Sequence, residues 1–482
     1  MIKKLILDFA CLIWAVFCRG DVNNIDSSEA KVVEGTGYEW VFVYYIALDN
    51  NLSMWGQKVL GELERGIVNS KVAVVVQADF GDTGGMRRIT MRRVDREVQR
   101  EEIVLDSEDS ADEGELRKYF EWVEKKWDAE NYAVIFPNHG GRLNQMCRDD
   151  HPFKNRDDNK QFVSGKWLRS SEAGKIAVDF NEQTGGKVRL LFLQQCGRAS
   201  VQNLCNFVDS ADYIMASPTS VGAPNTYYTA MVTSAAENGD IGGDALAQTI
   251  MAEDNDYLVY TLVNNSELKR LPEKLKAALK AFREVSVLDA PGRCLRMFGF
   301  AGESYYDLKS YLQALDSANN DVGGEELVRF LEWYEGDVVV QKSFRNVKEA
   351  AGASCSGLSI YIPSGQNELE GYSFLPFYKQ TGLDSTVLIG PPTGLDSTVS
   401  IGPPSRGKVM LRPGRTAVKK SVPRLLAIIG VAGVVLISLV CFLLYIFHKA
   451  WKISEMVRFE VGRRDDVGQK TDDRERSRDV RG

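Results

Sequence analysis

The sequence predicts an α/β protein: a sheet with helices on both faces, followed by one C-terminal transmembrane helix. Three observations carry this. Between residues 39 and 217 short continuous apolar runs alternate with amphipathic stretches, the pattern of strands buried on both faces and covered by helices. Residues 425–447, "LLAIIGVAGVVLISLVCFLLYIF", contain no charge and are long enough to cross a bilayer at helical rise. The 482 residues are 44% hydrophobic and 26% charged, which is globular material rather than disordered or fibrous.

The elements follow in order. "EWVFVYYIAL" (39–48) reads as a buried strand, and "NNLSMWGQKVLGELERG" (50–66) as an Asn-capped helix with Leu52, Val59, Leu60 and Leu63 apolar. "KVAVVVQAD" (71–79) is a second buried strand. "MRRITMRRV" (86–94) and "EVQREEIVL" (97–105) form a hairpin, and "DEGELRKYFEWVEKKW" (112–127) is an amphipathic helix before "NYAVIFPNHGG" (131–141). Arg142 to Lys175 reads as a long polar loop, a favoured nicking site. "VRLLFLQQ" (188–195) is the next strand. After it a helix carries Val201, Leu204, Cys205 and Val208 on one face, and "DYIMAS" (212–217) is another strand.

Both termini carry membrane signals. Residues 1–20, with Lys3 and Lys4 before an apolar run, read as a signal peptide. Residues 21–382 form the functional body. "TGLDSTVLIGPP" (381–392) is followed at once by its near copy "TGLDSTVSIGPP" (393–404); paired prolines and glycines make 383–424 an extended stalk. Residues 448–482 are a charge-mixed cytosolic tail, expected to be disordered. Lys and Arg flank the span on both sides, so the orientation rests on the signal peptide. The expectation is a single-pass membrane protein with an extracellular or luminal body.

Composition also excludes. A net charge of −7 lacks the basic surface a nucleic-acid binder needs. The body's five cysteines, Cys147, Cys196, Cys205, Cys294 and Cys355, show no CxxC spacing, which argues against zinc. No GxxxxGK[ST] loop occurs, and no cofactor is required.

In open sheets, active groups gather beyond the carboxyl ends of strands. His139 follows one apolar strand and Cys196 another, and the chain's other histidines, His151 and His448, lie in a polar loop and at the membrane edge. Gly140 and Gly141 let a substrate approach the backbone. A helix start beside Cys196 is expected to favour its thiolate.

The stretches "YYIALDNNL" (44–52), "ENYAVIFPNHGG", "VRLLFLQQCGRASVQNL" and "SGLSIYIPSG" (356–365) resemble, in order and spacing, four segments of clostripain-family cysteine peptidases, the last being that family's final core strand. The resemblance implies a caspase-like fold shared with legumain and gingipain. It makes Cys196 the nucleophile, His139 the proton donor, and the Gly140 and Cys196 amides the oxyanion hole. Peptides or proteins would be the substrates. Calcium, which clostripain-like enzymes can require, has acidic residues such as Asp149, Asp150, Asp157 and Asp158 available to it, with no motif in support.

The chain departs from the family in two places. Asp-Ala-Cys-Leu-Met is replaced by Gln194-Gln195-Cys196-Gly197-Arg198, and the loop 218–228 contains no acid to select a basic P1 side chain. Gln194, Tyr227 and Tyr228 are candidates to line the substrate pocket, with plain core as the other role open to the tyrosines. The expected function is a membrane-tethered cysteine endopeptidase; a transamidase-like acyl transferase and a degenerate binding or adhesion receptor are the alternatives.

Overall fold

The computed structural model describes residues 35–81, 85–152, 165–282, 294–347, 352, 354–363 and 365–382. The signal peptide, nearly all of the stalk repeat, the apolar stretch 425–447 and the tail lie outside the described residues. Among the described residues no helix is long and apolar enough to cross a membrane.

The strands are β1 (Gly35–Ala47), β2 (Val72–Asp79), β3 (Arg87–Val94), β4 (Glu97–Val104), β5 (Trp127–Ile135), β6 (Gln145–Asp149), β7 (Lys166–Arg169), β8 (Val188–Leu193), β9 (Tyr213–Ala216), β10 (Val259–Asn264), β11 (Arg296–Phe300), β12 (Glu303–Asp307), β13 (Val339–Phe344) and β14 (Ser359–Tyr361). Nine of them form the main sheet in the order β13-β10-β9-β8-β5-β1-β2-β3-β4. Its centre, β2-β1-β5-β8-β9, is parallel, and both margins are antiparallel. The expected hairpin is β3–β4, paired from Arg87 with Val104 to Val94 with Glu97.

The helices flanking the sheet are α1 (Gly56–Gly66), α2 (Glu113–Lys126), α3 (Ser170–Gln183), α4 (Val201–Leu204), α5 (Tyr228–Glu237) and α6 (Gly243–Glu253). Successive β1 side chains point to opposite faces. Val41, Val43 and Tyr45 pack with Leu116, Phe120 and Phe180 of α2 and α3, while Trp40, Phe42 and Tyr44 pack with Leu60, Leu63, Met231 and Ile250 of α1, α5 and α6. Burial of each such side chain contributes roughly 1.5–3 kcal/mol, so a one-residue slip of β1 would disrupt two cores at once.

Four expectations need correction. The first helix has no Asn cap: Asn50 Oδ1 accepts from the Leu52 amide, a 3₁₀ turn spans Ser53–Trp55, and α1 begins at Gly56 with no side-chain cap. The helix after Cys196 is only four residues, capped by Ser200 and continued as a 3₁₀ turn over Cys205–Phe207. Residues 142–175 are not one loop, because β6 and β7 pair and α3 begins at Ser170; residues 153–164 lie outside the description. Finally, "SGLSIYIPSG" holds β14, which joins β12 and β11 in a separate three-stranded sheet, whereas β13 completes the main one.

Candidate active site

The parallel strands bring four turns together at their carboxyl ends. After β5 and β8 the pairing runs on past the strands, with the Phe136 amide on the Phe192 carbonyl at 3.0 Å and the Asn138 amide on Gln194 at 3.4 Å. This carries His139 and Cys196 out side by side. The two turns meet at Gly140, where a Cβ would overlap the Cys196 carbonyl oxygen; no larger residue fits. Gly197 has φ +66° with its open side against the Phe298 ring, a left-handed position suited to glycine.

His139 and Cys196 are both partly exposed amid buried neighbours. Cys196 is the one described cysteine that is not buried. His139 Nε2 lies 2.7 Å from Asn51 Oδ1. An amide oxygen only accepts, so Nε2 carries a proton and Nδ1 is left to exchange one. The turn bearing Asn51 is tied to the histidine turn by Asn50, whose Nδ2 donates to Asn138 Oδ1 at 3.1 Å and to the Arg148 carbonyl at 2.7 Å. The motif "YYIALDNNL" pointed to this turn without showing which asparagine faces the imidazole.

Cys196 Sγ sits against the loop after β9. It accepts from the Val221 amide at 3.3 Å, and the thiol donates to the Val221 carbonyl at 3.6 Å. Burial pushes the Cys196 thiol up, against the opposing pull of Val221 and Arg198. Burial also pulls the His139 imidazole down, with Arg148 acting in the same direction. The expected lowering of the thiol by a helix start is therefore overturned: α4 is one turn long, begins five residues later, and does not outweigh desolvation. Both shifts favour the neutral thiol and the neutral imidazole.

Gln194, Tyr227 and Tyr228, named as candidates to line the pocket, are buried, and both tyrosines pack in the core. Tyr227 is fully buried and donates to Gln194 Oε1 at 2.5 Å; Gln194 Nε2 donates to Tyr228 at 2.9 Å and to Asn225. Asn225 in turn donates to Asp254, a buried carboxylate that also accepts from Tyr260 and from the Thr226 amide. These groups brace the cysteine turn and the 218–228 loop from beneath. The ring edges find their partners inside the protein because α5 starts at Tyr228, which turns both tyrosines toward β1 and β8.

His151 is not part of the pair. Its Nδ1 meets Asp49 Oδ1 at 2.7 Å. Asp49 also joins Asp79 and Asp149, three buried aspartates with one oxygen each within 4.8 Å of one another. Burial, reinforced by Asp49, pushes the Asp149 carboxyl up to about 6, although His151 and Ser110 amides oppose it. Three carboxylate oxygens are a donor set that suits a hard cation such as calcium. Of the other acids named from sequence, Asp150 pairs with Arg148 at 2.5 Å, and Asp157 and Asp158 lie outside the described residues.

Residues 44–270, just under half of the chain, match the model of the clostripain family, which marks that segment as a clostripain-like cysteine peptidase. Its structure is similar to a secreted C11 cysteine protease from Bacteroides thetaiotaomicron in complex with an irreversible peptide inhibitor, at 17% identity and TM-score 0.54, covering 71% of this chain and 99% of that one. It is also similar to an inactive zymogen C11 protease from Parabacteroides distasonis, at 16% identity and TM-score 0.55, covering 72% and 99%. At such identities the likeness establishes the fold. No curated protein matches the chain.

Proposed function

We propose that this protein is a membrane-tethered cysteine endopeptidase that cleaves peptide bonds with Cys196 and His139, its catalytic domain facing the extracellular or luminal side. The observation that carries the reading is the close approach of the two turns at Gly140 within a clostripain-family domain.

Cys196 Sγ gives its proton to His139 Nδ1 and attacks the scissile carbonyl carbon, and the electron pair of the C=O bond moves to oxygen. The Gly140 and Cys196 amides stabilise that oxyanion. Collapse of the intermediate breaks the C–N bond as His139 Nδ1 delivers a proton to the leaving amine. Water then attacks the acyl-enzyme, losing its proton to His139, and the thiol is restored. Asn51 keeps the imidazole in the tautomer this requires.

The P1 residue is uncharged in this reading. The 218–228 loop has no acid of its own, and Asp254, the carboxylate bonded to it, is fully buried and held by Asn225, Tyr260 and backbone amides. Asp49, Asp79 and Asp149 are the residues that would hold a calcium ion, whose charge would offset theirs beneath the turn carrying Asn51.

Labelling the full chain with thiol-reactive peptides bearing varied P1 residues tests the chemistry, with a label expected on wild type and none on Cys196→Ala. Product transferred to an added amine in place of hydrolysis would favour an acyl transferase. External protease acting on sealed vesicles should release the body through the 383–424 stalk; protection of the body with digestion of the tail reverses the orientation.

A further inference from the structure

We propose that Arg198 is a positioning residue that clamps the histidine turn onto the cysteine turn, in the motif where family members carry a different residue. The proposal rests on the peptidase reading above. Arg198 is fully buried, among the largest completely buried side chains of the protein. Its Nε donates to the Cys196 carbonyl at 3.2 Å, Nη1 to the Arg142 and Gln145 carbonyls at 3.1 and 2.6 Å, and Nη2 to Gly141 at 2.7 Å. One planar group thus holds the carbonyl of the nucleophile and three carbonyls of the turn that follows His139.

The geometry selects arginine. A guanidinium presents five donors in a fixed fork, whereas an ammonium offers three from a single point. A lysine has too few donors, and none in a fork, to serve the four carbonyls that Arg198 holds. Desolvating a cation costs several kcal/mol unless it is compensated, and the fold supplies the compensation. Tyr305 and Glu303 act on the guanidinium, and Tyr305 itself donates to Glu303 at 2.7 Å. Glu303 also accepts from the Leu143 amide at 2.8 Å. The histidine turn is therefore gripped through its carbonyls by Arg198 and through an amide by Glu303, a buried pair with the turn between them.

The arrangement bears on the replaced Asp-Ala-Cys-Leu-Met motif. Gln195 donates to the Phe136 carbonyl at 3.1 Å, Gln194 enters the tyrosine cluster, and Arg198 spans the gap between the turns. Gln194, Gln195 and Arg198 thus each tie the turn to a neighbouring element through side-chain bonds.

The test uses the full chain with Arg198→Lys and Arg198→Met. The number of reactive sites is counted by labelling with peptidyl acyloxymethyl ketone probes carrying Gln, Leu or Lys at P1, and turnover of the matching fluorogenic peptides is expressed per labelled site. Because only folded chains are labelled, the ratio reports on them even where a variant folds poorly. Positioning predicts that kcat per labelled site falls about 100-fold in Arg198→Met and about tenfold or more in Arg198→Lys, with KM little changed, since misplacement by about 1 Å costs this much. A loss confined to the number of labelled sites, with the rate per site unchanged, makes Arg198 a folding group only and overturns the proposal. So do variants indistinguishable from an active wild type. A wild type that neither labels nor turns over overturns the peptidase reading, and the proposal with it.

Discussion

The turn after β5 and the turn after β8 leave neighbouring parallel strands at the same end of the sheet, yet they are held by different means. The cysteine turn is bound mainly through its own backbone: the Gly197 amide donates to Thr219 at 2.8 Å, Ala199 to Ser217 at 2.9 Å, and Ser359 to the Ala199 carbonyl at 2.9 Å. The histidine turn depends on side chains sent from elsewhere, Asn50 from the β1 turn, Arg198 from the cysteine turn and Glu303 from β12. Backbone pairing tolerates most substitutions because every residue supplies the same groups. Side-chain anchoring does not, so the position of the histidine should be the more fragile half of the dyad.

The largest effect falls on the dyad itself. Cys196→Ala and His139→Ala should each lower kcat/KM by about 10⁴-fold or more, and the double variant should be scarcely worse than either, because groups acting as a unit are not additive. Additive losses in a steady-state assay would mean that the two turns do not work together.

Next is the contact between the turns. In Gly140→Ala the new methyl meets backbone, the Cys196 carbonyl, whereas in Gly197→Ala it meets the Phe298 ring, a side chain, at a left-handed φ. We expect about 100-fold loss of kcat for the first and a smaller one for the second, chiefly seen as lowered stability of about 1–2 kcal/mol. A Gly197 variant more damaged in turnover than the Gly140 variant would break the comparison.

Asn51→Ala should cost about tenfold in kcat with KM little changed, since it frees the imidazole to take either tautomer while leaving the proton-transfer group in place. Asn51→Asp, which still offers an accepting oxygen, should recover most of the loss. Equal kcat in all three proteins would remove Asn51 from the site.

The smallest effect is a displaced pH profile. Burial raises the Cys196 thiol, so the thiolate is a minor form at neutral pH and is gained only as pH climbs above the usual cysteine range. Alkylation of the native protein by iodoacetamide should rise through a midpoint above that of free cysteine and return to the ordinary midpoint in denaturant. A rate already at its plateau below pH 7 would indicate a preformed thiolate–imidazolium pair.

The candidate catalytic residues were legible because their positions are marked locally. An apolar run ending in His139-Gly140-Gly141 and another ending in Cys196 announce strand ends, and the sheet's alternation announces its two covered faces. The partners were not legible. Asn51 and His139 are 88 residues apart, Leu143 and Glu303 are 160 apart, and nothing in the spacing of either pair encodes the contact. Gln194, Tyr227 and Tyr228 could be named as neighbours of the site, but whether they faced a pocket or the interior depended on where α5 starts.

The sequence by itself marked the central strands β1, β2, β5, β8 and β9, the β3–β4 hairpin, the first two helices and the strand-end positions of His139 and Cys196, since periodicity and local backbone preference act over a few residues. Tertiary structure alone decided which asparagine meets the imidazole, that the thiol is raised rather than lowered, that "SGLSIYIPSG" serves a second sheet, and that a buried arginine joins the two turns. These depend on desolvation and on donors and acceptors brought together from distant parts of the chain, which local sequence does not specify.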